Sequence, residues 1–278
     1  MENKVVIITG ASSGIGKALA EVFGQKGAKV VITGRNKKNL EATAALLTEK
    51  GIDNLARTAD VAVKADNEAV VEETLKKYGR IDILINNAGI SMRALFSETE
   101  LEVIEKVMQI NFFGAVYATK AALPHILKSK GIIIGISSIA GYRGLPGRTG
   151  YSASKFALNG FLETLRTELL HTGVTVLTAC PGFTTSNIRN TALSKDNVVI
   201  GETSMDEAKM MTAEEVARRI YRAASRRKRE VIFTTLGKAT VFLNKLFPSF
   251  MDKFTYNYMA KEKGSLLKKD YSMDFDNG

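Results

Sequence analysis

Short runs rich in β-branched residues alternate with longer helical patterns through most of this chain, and that alternation dictates a parallel α/β sheet. Neighbouring parallel strands need a crossover, and a helix is the usual way to supply it. Lys4–Thr9 reads as the first strand and Gly14–Lys26 as the helix after it. The second strand, Ala28–Thr33, leads to a helix over Asn36–Lys50 with Leu40, Ala44 and Leu47 on one face. Asn54–Ala59, Ile81–Ile85, Gly131–Ser137, Val174–Ala179 and Val231–Thr235 read as strands three to seven. Further helices are expected at Lys64–Tyr78, as one long segment over about Glu100–Lys128, at Ser152–His171 and at Ala213–Arg227. Residues 183–211 are polar and irregular and read as a mobile loop, in which Met205, Met210 and Met211 are adaptable packing residues able to line an apolar pocket.

The rhythm stops after the seventh strand. Residues 1–236 are expected to form the main domain, and 237–278 a C-terminal amphipathic extension whose end, from about Lys268, reads as disordered. Ala239, Phe242, Leu243, Leu246, Phe250, Phe254 and Tyr258 recur at helical spacing, and Pro248 should kink or split that helix. Phe242, Leu246, Phe250 and Phe254 form an apolar stripe flanked by Lys238, Lys245 and Lys253. Such a helix can lie peripherally in a membrane interface, pack on its own domain, or complete a subunit contact.

Composition narrows the class. The chain has 278 residues, 45% of them hydrophobic, enough for a sizeable core, and no apolar stretch long enough to span a bilayer. Its opening, MENKVVIITGASSGIG, is unlike a secretory signal because the apolar run is short and leads straight into glycines. A single cysteine, Cys180, excludes an internal disulfide and, with only two histidines, gives no metal cluster. A cytoplasmic, possibly membrane-associated protein is expected. The formal charge of +10 suits nucleic acid, a membrane surface or an anionic substrate, and twelve of the lysines and arginines lie between Glu214 and Lys263 against five acids.

The chemistry lies at successive strand ends. Gly10-Ala-Ser12-Ser13-Gly14-Ile15-Gly16 follows a strand and opens a helix, which suits a dinucleotide pyrophosphate at a helix N-terminus. Arg35, just past the second strand between Gly34 and Asn36, offers a charged donor fork to a ribose 2′-phosphate where an NAD enzyme usually places an acid. Asp60-Val61 and Asn86-Asn87-Ala88-Gly89 end the third and fourth strands at the same sheet edge. Tyr151 and Lys155, four residues apart, share a helix face, and the lysine charge favours the tyrosinate. A phenol so tuned can exchange a proton with a carbonyl oxygen near neutral pH. Asn111 sits inside a predicted helix, where its side chain competes for backbone bonds and can disrupt the ladder.

Over residues 4–235 the chain resembles the short-chain dehydrogenase/reductase family. The resemblance rests on TGASSGIG at 9–16, DV at 60–61, NNAG at 86–89, Asn111, ISS at 136–138, YSASK at 151–155 and PG at 181–182. It implies a single-domain, doubly wound Rossmann-type fold with a seven-stranded parallel sheet, and a catalytic tetrad of Asn111, Ser138, Tyr151 and Lys155. It also implies NADP(H) as cofactor. Contacts are expected from the glycine turn, Arg35, Asn36, Asp60, Val61, Asn87, Ala88, Gly89, Tyr151, Lys155, Pro181, Gly182 and Thr184. Ser186 stands where the family usually has threonine, and keeps the hydroxyl. In this reading Tyr151 is the general acid, Ser138 holds the carbonyl oxygen, Lys155 binds the nicotinamide ribose, and Asn111 positions a water. The expected substrate is a hydrophobic, lipid-like ketone or alcohol, and the expected assembly a homodimer or homotetramer. A non-catalytic NADP(H)-binding redox sensor and a basic nucleic-acid-binding regulator are the alternatives. The second would leave the tyrosine–lysine–serine set unexplained, so no nucleic acid is expected.

Overall fold

The computed structural model describes residues 1–182, 184, 188, 191–201, 210–262 and 264–267. The expected contact Ser186, Met205 in the loop and the end from Lys268 lie outside the described residues.

Seven parallel strands form one sheet: β1 (Val5–Ile8), β2 (Lys29–Gly34), β3 (Asn54–Thr58), β4 (Ile83–Asn86), β5 (Ile132–Ile136), β6 (Thr175–Cys180) and β7 (Glu230–Ile232). Their spatial order is β3-β2-β1-β4-β5-β6-β7. Chain order reverses between β1 and β4, and a doubly wound sheet opens a ligand crevice at the carboxyl ends of strands flanking such a point.

Helices cover both faces. Val6, Ile8, Val30, Ile32, Ile134 and Leu177 point to a layer with α1 (Gly14–Gly24), α2 (Lys37–Glu49) and α7 (Ala213–Ser225). Their neighbours Val5, Ile7, Val31, Ile133 and Val176 point to the other layer, with α3 (Lys64–Tyr78), α5 (Gly114–Ser129) and α6 (Thr149–Glu168). Because both faces are buried at the centre, β1, β4 and β5 are almost wholly apolar without alternation, whereas the edge strands β3 and β7 are partly exposed and carry polar residues. A Cβ at Gly135 would lie 2.3 Å from Leu162 Cδ1, so glycine lets α6 rest against β5.

Element ends shift by up to three residues from the sequence reading, as at α6, which starts at Thr149 rather than Ser152 and so takes in Tyr151, and three differences stand out. The single helix expected over Glu100–Lys128 is α4 (Leu101–Met108), a π-helical turn at Gln109–Phe113 and α5. Asn111 sits in that turn with its side chain bonded to other elements. The last strand stops at Ile232 rather than Thr235, because the Thr234 side chain accepts from Gly237 N at 2.9 Å and caps α8 (Thr235–Leu246). Residues 191–200, expected to be mobile, are pinned: Leu193 exchanges backbone hydrogen bonds with Ser91 and Arg93, each 2.8–2.9 Å.

Pro248 splits the extension as expected, standing at the first position of α9 (Pro248–Met259), where its missing N–H costs nothing. The helix pair packs over the turn after β5, with Gly237 against Ile139. Among the described residues no helix is long and apolar enough to cross a membrane.

Candidate active site

One cleft of about 920 Å³ runs along the carboxyl ends of the strands. Its first half is built by the glycine turn. Gly10 adopts φ +66°, and a Cβ there would lie 2.7 Å from Ala88 Cα, so only glycine allows the turn to press on the β4 loop. Asn87 ties the two strand ends together, donating to Thr9 O at 2.9 Å and Gly10 O at 3.1 Å. Ser13 precedes α1 without a side-chain cap, and the first turn holds no acid. The first amide donors of α1 therefore face the cleft with the positive end of the helix dipole behind them. That donor set fits a pyrophosphate.

Ser12, Ser13, Ile15, Arg35, Asn36, Asp60 and Val61 line the same half. Gly34 lies beneath Ser12, and a Cβ there would sit 3.2 Å from Ser12 Oγ. The half-exposed Arg35 guanidinium stands 3.9 Å from Asp60 Oδ2, a loose contact that leaves its donor fork open to another anion. Asn36 caps α2 by accepting from Asn39 N at 3.0 Å. Asp60 accepts from Ala62 N at 3.0 Å, which fixes the turn after β3.

The other half holds the reactive groups. Ser138 follows β5, and its Oγ accepts from Ala140 N at 3.1 Å. With the oxygen accepting there, its O–H remains a donor for a group in the cleft. Tyr151 lies in the first turn of α6 and Lys155 one turn on, with Nζ 5.7 Å from the Tyr151 ring centroid. Lys155 is 3% exposed and donates to Ile136 O at 2.9 Å. Burial pushes its ammonium down to about 8. Pro181, Gly182 and Thr184 close this half at the end of β6. Burial pushes the Cys180 thiol up to about 12, which makes it a packing residue rather than a nucleophile.

Asn111 does not line the cleft. Its Nδ2 donates to Ile90 O and to Ser154 Oγ, both at 2.9 Å, and its Oδ1 accepts from Ile90 N at 2.8 Å. The side chain thus bolts the loop after β4 to α6, one residue from Lys155. Gly89 lies between them: a Cβ there would be 3.1 Å from Asn111 Oδ1 and 3.6 Å from Lys155 Nζ.

The far wall is apolar and comes partly from the extension. Leu193, Val199, Met210 and Met211 line it from one side, and Leu236, Met251 and Met259 from the other. Two arginines between Ser138 and Tyr151, which the sequence reading passed over, hold the extension there. Arg143 donates to Asn244 Oδ1 at 3.1 Å, Thr255 Oγ1 at 3.2 Å and Asp252 Oδ1 at 2.6 Å. Arg148 pairs with Glu262 at 3.2 Å. Their signal in the sequence was only their position between two candidate catalytic residues. Among the described residues no group of side chains suits a metal ion.

Residues 4–197 match the family described as short chain dehydrogenase. The chain is 36% identical over 271 residues to dehydrogenase/reductase SDR family member 7B of Mus musculus, covering 95% of this chain and 84% of that one. It is 38% identical over 220 residues to dehydrogenase/reductase SDR family member 7 of Homo sapiens, covering 77% and 65%. A short chain dehydrogenase/reductase from Burkholderia phymatum, solved with NAD, superposes with TM-score 0.81 at 24% identity over 90% of this chain and 95% of that one. An alcohol dehydrogenase from Thermococcus sibiricus, solved with 5-hydroxy-NADP, gives 0.74 at 23% identity over 84% and 96%. At such identities these structures bear on the fold alone.

Proposed function

The chain belongs to the short-chain dehydrogenase/reductase family, and from that premise we propose that it reduces a hydrophobic, lipid-like ketone, or oxidises the matching secondary alcohol, with NADP(H). The observation that carries this reading is the convergence of Ser138, Tyr151 and Lys155 on the cleft whose other half is the glycine turn.

A bound nicotinamide supplies or takes up the hydride at the carbonyl carbon. Tyr151 donates its phenolic proton to the carbonyl oxygen as negative charge develops there. Ser138 holds the same oxygen with its free O–H, strengthening its bond as the charge grows. The Lys155 ammonium lowers the cost of the tyrosinate left behind and would hold the ribose hydroxyls of the cofactor. Asn111 keeps α6 and the β4 loop in register through its bonds to Ile90 and Ser154, a positioning role rather than a contact with the reacting groups.

Arg35 supports NADP(H) over NAD(H). It stands at the end of β2 between Gly34 and Asn36, the position from which an acid would accept from a ribose 2′-hydroxyl, and puts a cation there instead. The methionine- and leucine-rich far wall supports an apolar substrate. The test is NADPH absorbance against a panel of long-chain 3-keto compounds, steroids and short water-soluble ketones. Turnover concentrated in the first two classes is expected, and turnover confined to short ketones would overturn the substrate class.

A further inference from the structure

Helix α9 is apolar on two faces. Met251, Thr255 and Met259, spaced one turn apart, are buried and line the cleft. Phe250, Phe254 and Tyr258, also one turn apart, stack into a ladder with ring centroids 6.2 Å and 6.4 Å apart. Phe250 at the start of that ladder is 59% exposed, and Phe242 on α8 and Phe247 between the helices are 63% and 56% exposed. Leu246 is also more than half exposed. Large apolar side chains gathered on one exposed hairpin mark a contact surface.

The charge on the hairpin selects the partner. Its acids are engaged by the loop below: Asp252 by Arg143 and Glu262 by Arg148. Lys238, Lys245, Lys253 and Lys261 are exposed, and among the described residues none of them is in an ion pair. Two copies meeting through this surface would bring like charges together, on a chain whose formal charge is already +10. An anionic bilayer satisfies both features at once: headgroups meet the lysines while the aromatic side chains enter the acyl boundary.

We infer that the α8–α9 hairpin docks this protein on anionic lipid bilayers. Phe254 and Tyr258 belong both to the exposed ladder and to the cleft wall, so docking turns an apolar edge of the cleft toward the lipid. That the substrate enters from the bilayer is a consequence resting on the reductase reading above. The docking itself does not need it.

The test is co-sedimentation of the full-length protein with vesicles of phosphatidylcholine, alone or containing phosphatidylserine, at low and high salt. Binding at least about tenfold stronger with phosphatidylserine is expected, weakening as salt screens the lysines. A variant carrying Phe242→Ser, Phe247→Ser and Phe250→Ser, none of which lines the cleft, should lose vesicle binding while keeping its circular dichroism. A variant carrying Lys238→Glu, Lys245→Glu and Lys253→Glu should lose the preference for phosphatidylserine, and carries the test if the aromatic variant misfolds. The inference is overturned if the wild type stays in the supernatant with every vesicle, or if either folded variant pellets as the wild type does. It is overturned equally if light scattering shows that the aromatic substitutions dissociate an oligomer, because the face is then a subunit interface. Sedimentation is read without turnover, so its failure is distinct from failure of the reductase assignment.

Discussion

Arg148 and Glu262 form an ion pair at 3.2 Å with side chains only 11% and 7% exposed, and it joins the residue before α6 to the segment after α9. Tyr151 is three residues beyond Arg148, so the far end of the chain is fastened to the helix that carries the proposed proton donor. Arg143 makes a second fastening to α8 and α9 within the same loop.

Removing one member of a nearly buried pair leaves the other charge uncompensated. Glu262→Gln should therefore lower stability by roughly 3 kcal/mol in urea unfolding. It should also raise KM for a bulky substrate more than it lowers kcat, because the extension's wall loosens while Tyr151 and Ser138 remain. Replacing both partners, as in Arg148→Met with Glu262→Leu, should recover much of the stability. A single variant as stable as the wild type would show that the pair does not hold the extension.

Lys155 gives a stability prediction with a definite sign. Its ordinary value is 10.5 and burial brings it to about 8 in the folded chain. Between these values the unfolded state binds the extra proton, so stability rises with pH across that window, and the destabilisation is complete below it. Lys155→Met should then be more stable than the wild type at pH 7, by up to about 3 kcal/mol, while inactive. The difference should close as pH approaches 10.5. A gap that stays constant over this range in paired denaturation curves would contradict the burial account.

Arg35 should decide the cofactor. Arg35→Ala is expected to weaken NADPH by about tenfold or more, in line with loss of a charge-assisted hydrogen bond, and to leave NADH nearly unchanged. Fluorescence titration of both cofactors measures this. Equal losses, or a wild-type preference for NADH, would remove the 2′-phosphate contact.

Much of this site was legible because its parts obey local rules. The β-branched runs marked each strand, and the glycine turn, Asn87 and the Tyr151–Lys155 pair follow from what a strand end or one helical turn allows. The rest depended on contacts between distant segments. Asn111 marked a weak point in its helix, but its bonds to Ile90 and Ser154 across the π-helical turn are contacts that no helical pattern records. Residues 191–200 are held by backbone bonds to 91 and 93, which leave no side-chain signature. Arg143 and Arg148 look like any surface arginines until the extension meets them. Pro248 did announce the split of the extension, but nothing local announced that one face of α9 would complete the cleft wall.

Whether Tyr151 passes the proton is decided by Tyr151→Phe. The ring is kept and only the hydroxyl goes. NADPH should titrate the variant with wild-type affinity, while kcat on the identified ketone falls by about 100- to 10,000-fold, the range of a lost general acid. A Tyr151→Phe enzyme that binds NADPH and turns over at the wild-type rate would contradict it.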